Sequence, residues 1–117
     1  LSREGAEARN TRKIIDKTQR FIERTDKPFF CCVNLMDGHL PHYPPAEHTA
    51  EFAPDVDPEE ICQNSKGYNA GARDIDDDEW EAISGLYDAD IRHLDYQVDR
   101  LFSWLREHDH WRASRRE

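Results

Sequence analysis

The 117-residue chain carries 25 Asp and Glu against 16 Lys and Arg, a formal charge of −9. That balance argues against a nucleic-acid binder, because phosphate contacts need a basic surface, and the only basic cluster is the terminal Arg112, Arg115 and Arg116. Apolar residues make up 37%, below the ~45–50% of an average soluble domain, and no run approaches the ~20 apolar residues of a membrane span.

The length suits one small domain. Few lysines beside many aspartates suggest a salt-adapted, halophilic proteome, and the acidic excess favours solubility. The start, "LSREGAEARN", has no hydrophobic leader and no initiator Met, so residue 1 is expected not to be the natural start. Cys31, Cys32 and Cys62 form an odd set with no CxxC spacing. Adjacent Cys31 and Cys32 on a strand point to opposite faces, so free buried thiols in a reducing, cytoplasmic compartment are expected.

Residues 5–25 read as a helix, with Ile14, Ile15, Thr18, Phe21 and Ile22 on one side at helical spacing. "TDKP" ends it, since Pro28 disfavours a helical Lys27. Residues 28–36 read as a strand. Phe29, Phe30, Cys31, Cys32, Val33, Leu35 and Met36 leave no polar face, which suits a central strand covered on both sides. Residues 37–78 read as a long, mostly irregular segment rich in proline and glycine, of a length that is usually functional. "DIDDDEW" closes it, with Asp76, Asp77 or Asp78 as the cap of the next helix.

Residues 79–108 read as a long helix. Trp80, Ile83, Tyr87, Ile91, Leu94, Val98, Leu101 and Leu105 step by threes and fours along one face. The tail at 109–117 has no clear element and is expected to be disordered. One doubly buried strand cannot satisfy its own backbone groups. The expectation is therefore a single partial domain over 1–117 with an α/β architecture: helix, central strand, long loop, long helix. Such a chain is an internal piece of a larger α/β enzyme, a split gene product or one partner of an obligate assembly.

Asp37, Gly38 and His39 follow the strand directly, where ligands bind in open α/β sheets. A histidine there can donate to an anionic oxygen or protonate a leaving group; the alternative is a solvated loop histidine. His39, His42 and His48 with the cysteines match no strong zinc spacing. Asp76, Asp77 and Asp78 match no EF-hand pattern and read as a capping run. Asp95 flanks the apolar stripe of the long helix, with Asp88, Asp90, Arg92 and His93 around it, and reads as a helix-surface charge. No GxSxG, Walker loop, GxGxxG or HExxH occurs.

The stretch "KPFFCCVNLMDGHLPHYPP" resembles the central motif of the sulfatase family, in the alkaline-phosphatase-like superfamily. Downstream, "YDADIRHLDYQVDRLFSWLRE" resembles the family's helix motif, with Tyr87, Ala89, Ile91, Asp95, Val98 and Leu105 at matching places. The resemblance implies a partial alkaline-phosphatase-like fold and hydrolysis of a small-molecule sulfate ester through a formylglycine hydrate. It implies calcium as the usual metal, with ligands outside this chain. His39 would contact the sulfate group and help the ester oxygen leave, Asp37 would orient the loop, and His42 and Tyr43 would lie near the substrate mouth. Asp95 would be structural.

The Cys-x-Pro-x-Arg or Ser-x-Pro-x-Arg nucleophile motif of that family is absent from the chain, as are its metal-ligand motifs. Gly38 stands where Pro is commoner, and Asp99 where Gly is frequent. The expectation is a middle segment, inactive and poorly folding alone, whose partner is the remainder of a split sulfatase. Two other readings stay open: a phosphodiesterase or phosphoglycerol transferase of the same superfamily, and a non-catalytic acidic binding protein.

Overall fold

The computed structural model describes residues 3–63, 69–71 and 74–108, with side chains from residue 10 onward. Its elements in chain order are α1 (Arg3–Arg24), α2 (Ala46–Phe52) and α3 (Asp77–Glu107). The tail expected at 109–117 lies outside the described residues.

α1 buries Thr11, Ile15, Thr18 and Ile22, which step by four, three and four residues and so share one face. Two of the four are threonines. The Thr18 hydroxyl is satisfied locally, donating to the Ile14 carbonyl at 2.8 Å. The Thr11 hydroxyl instead donates to Asp37, far along the chain. The helix ends where Thr25 turns back, its hydroxyl donating to the Phe21 carbonyl at 2.7 Å.

α3 starts at Asp76, whose carboxylate accepts from the Glu79 N–H at 2.8 Å. Asp77, Asp78 and Glu79 fill the first turn and Arg106 the last, so charges at both ends complement the helix dipole. α3 packs against α1 and α2. Arg100 links it to α1, donating to Gln97 at 2.6 Å and to Asp16 at 3.3 Å. That ion pair is partly exposed and adds little.

The packing face of α3 is not the apolar stripe. The buried residues are Ile83, Leu86, Ala89, Asp90, His93 and Gln97. Trp80, Tyr87 and Ile91 remain 42%, 44% and 38% exposed. At about 100° per residue the buried face is rotated roughly a quarter turn from the stripe. Only Ile83 belongs to both. The face that meets α1 and α2 therefore carries an aspartate, a histidine and a glutamine, while the greasier stripe faces outward.

The central strand expected over 28–36 is not formed. The segment is extended, but no strand ladder occurs among the described residues, which are helix and loop and so do not by themselves make an α/β architecture. An extended segment becomes a strand only where a second one lies alongside to exchange backbone hydrogen bonds. Phe30 is 90% exposed and Met36 58%. Phe29 finds partial cover edge-on against Phe21, with ring centroids 5.4 Å apart. The expectation of buried thiols falls with the strand: Cys31, Cys32 and Cys62 are free and exposed.

The segment 37–78 is less irregular than expected, since it holds α2. Pro45 precedes this helix and Thr49 is its buried residue. α3 lies close enough to the end of α2 that a Cβ at Gly85 would stand 2.8 Å from the Phe52 carbonyl oxygen. The core is lean. The radius of gyration is 17.6 Å, against about 13 Å for a compact domain of this length. No described helix is long and apolar enough to cross a membrane.

Candidate functional site

The loop between α1 and α2 threads the three sequence-predicted residues past both long helices. It turns at Asp37 and Gly38, where the His39 N–H donates to the Met36 carbonyl at 2.9 Å, and passes through a cis Leu40–Pro41 bond. Asp37, His39 and His42 then take three different environments.

Asp37 bridges the long helices. Its Oδ1 accepts from the Thr11 hydroxyl of α1. Its Oδ2 lies 3.8 Å from His93 Nε2 of α3, and both side chains are 8% exposed. Neither of those two atoms has a hydrogen-bond partner among the described residues. The pair is thus an electrostatic contact rather than a made hydrogen bond. Asp37 thus ties the loop to α1 and faces α3.

His42 is the most constrained of the three. Its Nδ1 lies 2.6 Å from Asp90 Oδ2, both groups being buried. Gln63 clamps its backbone from the other side: the His42 N–H donates to Gln63 Oε1 at 2.6 Å, and Gln63 Nε2 donates to the His42 carbonyl at 2.9 Å. Tyr87 meets the imidazole edge to face at 5.5 Å. A carboxylate accepting at Nδ1 places the neutral ring's proton there and leaves Nε2 with its lone pair. Nε2 makes no hydrogen bond among the described residues. His42 forms part of the wall of a cleft of about 310 Å³, with Trp80, Ser84 and Tyr87.

The Asp90 carboxyl is raised above its ordinary 3.8. Burial is the main cause; the hydrogen bond from His42 and the His42 charge pull it back, and Asp37 adds a smaller push upward. Two buried carboxylates and two buried imidazoles thus share the space between α1, the loop and α3.

His39 is exposed. Its Nδ1 lies 2.5 Å from the Leu40 carbonyl oxygen, so that nitrogen donates locally and Nε2 remains available. It borders a second cleft of about 400 Å³ with Thr11, Lys13, Lys17 and Asp37. Leu40 belongs to both clefts and separates His39 from His42.

The zinc grouping is not assembled: among the described residues no three His, Cys, Asp or Glu side chains converge as metal ligands. His48 instead pairs loosely with Glu47 at 3.7 Å and faces the His93 ring at 5.9 Å. The same observation bears on calcium, since the described residues do not offer a ligand set for it. Asp95 is exposed on α3, away from the cluster.

Asp90, His93, Thr11 and Gln63 were not singled out as site residues by sequence. For Asp90 and His93 a pattern existed. Leu86, Asp90, His93 and Gln97 form a second helical series, stepping by four, three and four, beside the apolar one. Gln63 and Thr11 act across 21 and 26 residues of chain, and no local spacing marks them.

His42 is thus a buried histidine oriented by a carboxylate at the wall of a cleft, an arrangement chemically able to hold or pass a proton. The sulfatase family model matches residues 3–114, and the chain belongs to the sulfatase family. Comparison with curated proteins and with solved structures gave no match.

Proposed function

We propose that this chain forms part of a sulfuric-ester hydrolase of alkaline-phosphatase-like fold, in which the loop 37–42 supplies the imidazole corner of the site. The observation that carries the reading is the coincidence of a sulfatase match over 3–114 with a loop histidine, His42, that is pinned by Asp90 and lines a cleft. Asp90 fixes the ring orientation. Nε2, when protonated, donates to an oxygen of the sulfate group or to the departing ester oxygen. His39, on the rim of the adjoining cleft, is the second substrate-contacting imidazole, and Asp37 holds the loop to both helices.

In the complete enzyme calcium would polarise the sulfate oxygens and formylglycine would supply the nucleophile. Both belong to motifs absent from these 117 residues. The partner is then the polypeptide that carries those motifs, and the substrate a small-molecule sulfate ester.

The test is an arylsulfatase assay with calcium, run on the purified chain and on the gene product that includes its flanking coding regions. The chain alone should not turn over. The longer product should, and His42→Ala should lower kcat by about 100-fold or more, the usual weight of a positioned acid or base. Metal-dependent turnover by the chain alone overturns the reading. So does a longer product that cleaves phosphodiesters and leaves sulfate esters intact.

A further inference from the structure

Asp37 Oδ2 and His93 Nε2 face each other at 3.8 Å where the loop meets α3, and both side chains are only 8% exposed. Neither atom has a hydrogen-bond partner among the described residues. Buried polar atoms left unpaired are costly and rare in native folds. One proton and a closing movement of about 1 Å would join these two, since a charge-assisted N–H···O bond spans ~2.8 Å. A neutral imidazole carries its proton on one nitrogen only. With that proton on Nδ1, the Nε2 lone pair points at a carboxylate and repels it. The protonated ring always presents a donor at Nε2.

The surroundings suit such a proton. The Thr11 hydroxyl of α1 already holds Asp37 Oδ1, which leaves Oδ2 for His93. The His93 ring borders a cleft of about 300 Å³ with Glu47, His48, Tyr96 and Gln97, which opens a route to solvent. Around the ring, the loop supplies Asp37, and α3 supplies Asp90, one turn back, which feels the charges of both Asp37 and His93. α2 supplies His48, its ring centroid 5.9 Å from that of His93, with Glu47 3.7 Å from His48. The carboxylates favour a cation at His93, and a protonated His48 opposes one.

We propose that Asp37 and His93 form a proton-operated latch on the loop 37–42. With His93 protonated, Nε2 donates to Asp37 Oδ2 and holds the start of the loop against α3. When the proton leaves through the cleft, the contact opens and the turn at Asp37 and Gly38 loosens. The far end stays docked. His42 Nδ1 carries its proton to Asp90 in the neutral ring and in the charged one, and Gln63 clamps the His42 backbone. The latch thus shifts His39 relative to a fixed His42, whatever substrate the loop meets.

The test is amide hydrogen exchange of the ¹⁵N-labelled chain between about pH 5 and pH 8, the span in which histidine ordinarily changes charge. Each rate is corrected for the intrinsic effect of pH. The reporter is the His39 N–H, which donates to the Met36 carbonyl at 2.9 Å. Its protection should fall about tenfold as pH rises, the weight of one charge-assisted bond made or lost. The His42 N–H, bonded to Gln63, and the α3 amides at 86–90 should keep theirs. His93→Gln supplies a donor that does not titrate and should make His39 protection independent of pH. Asp37→Asn, which keeps the shape and loses the charge, should do the same and replaces it if circular dichroism shows His93→Gln to have lost helix. His48→Gln removes the opposing imidazole and should move the parent's transition to higher pH. Protection at His39 that is flat in the parent, absent at every pH, or as pH-dependent in the variants as in the parent overturns the latch. A fall shared by His42 and α3 is global loosening and overturns it too. Turnover by the longer gene product tests the hydrolase reading separately, and neither result decides the other.

Discussion

Asp90 Oδ2 lies 2.6 Å from His42 Nδ1, with the two side chains 6% and 4% exposed. The contact joins the loop to α3 and decides which imidazole nitrogen is free. Removing one member of a buried pair leaves the other desolvated without a partner. Asp90→Ala and His42→Ala should therefore each cost about 1–3 kcal/mol of stability. In a double-mutant cycle the two losses should fall short of additivity by about 0.5–3 kcal/mol. Urea unfolding of the parent, both single variants and the double variant measures this, and strictly additive losses would show the contact to be energetically idle.

The same contact gives a pH dependence of known sign. Burial raises the Asp90 carboxyl above its ordinary 3.8, and the hydrogen bond from His42 only partly offsets that. The folded chain thus holds the Asp90 proton more tightly than the unfolded chain. Its contribution is fully present below the unfolded value and is lost as pH rises through the folded one. Asp90→Asn abolishes this titration. Between about pH 3 and pH 6, subtracting the variant's stability from the parent's should leave a difference that falls with pH. A flat difference contradicts the direction of the shift.

Gly85 sets how closely α3 approaches α2. A Cβ there would meet the Phe52 carbonyl oxygen at 2.8 Å and the Ala53 Cβ at 3.0 Å. Alanine in place of glycine favours a helix by about 1 kcal/mol. Overpacking against a fixed backbone atom costs about 1–3 kcal/mol. The backbone cannot rotate away as a side chain would, so the clash should win. Gly85→Ala should keep the helical circular dichroism signal and lower the urea midpoint, a net loss of about 1 kcal/mol. A raised midpoint would mean that α2 moves aside freely.

The helices were legible because their evidence is local. The spacing of Ile15, Thr18 and Ile22 gave α1, and the Asp76 cap with its acidic first turn gave the start of α3 within two residues. The face of α3 was not legible. Its strongest apolar series, Trp80 to Leu105, is outvoted by the series that carries Asp90, His93 and Gln97, because two of those polar groups face opposite groups across the fold: Asp90 is hydrogen-bonded to His42, and His93 lies against the Asp37 carboxylate. Sequence spacing records hydrophobicity, not whether a buried polar atom will be satisfied. The strand at 28–36 failed for a related reason, since apolar character needs a neighbouring strand to become a ladder. Asp37, His39 and His42 were named as one site. The loop places them in order but turns His39 to one cleft and His42 to the other, with Leu40 between.

That exposed segment yields a further expectation. Phe30 is 90% exposed, and beside it stand Phe29, Cys31 and Cys32, all on the surface. An extended apolar run with unpaired backbone groups is a template for pairing with another chain. Phe30 contributes little to this fold, so Phe30→Ser should change the stability of the chain by no more than about 0.5 kcal/mol. It should nevertheless reduce self-association, because it places a polar group in the middle of the run. Sedimentation velocity under reducing conditions, across a concentration series, separates the two effects. Equal association by parent and variant would remove the segment as the sticky surface. A marked loss of stability would mean that Phe30 is buried in solution, against a placement that leaves it almost wholly in solvent.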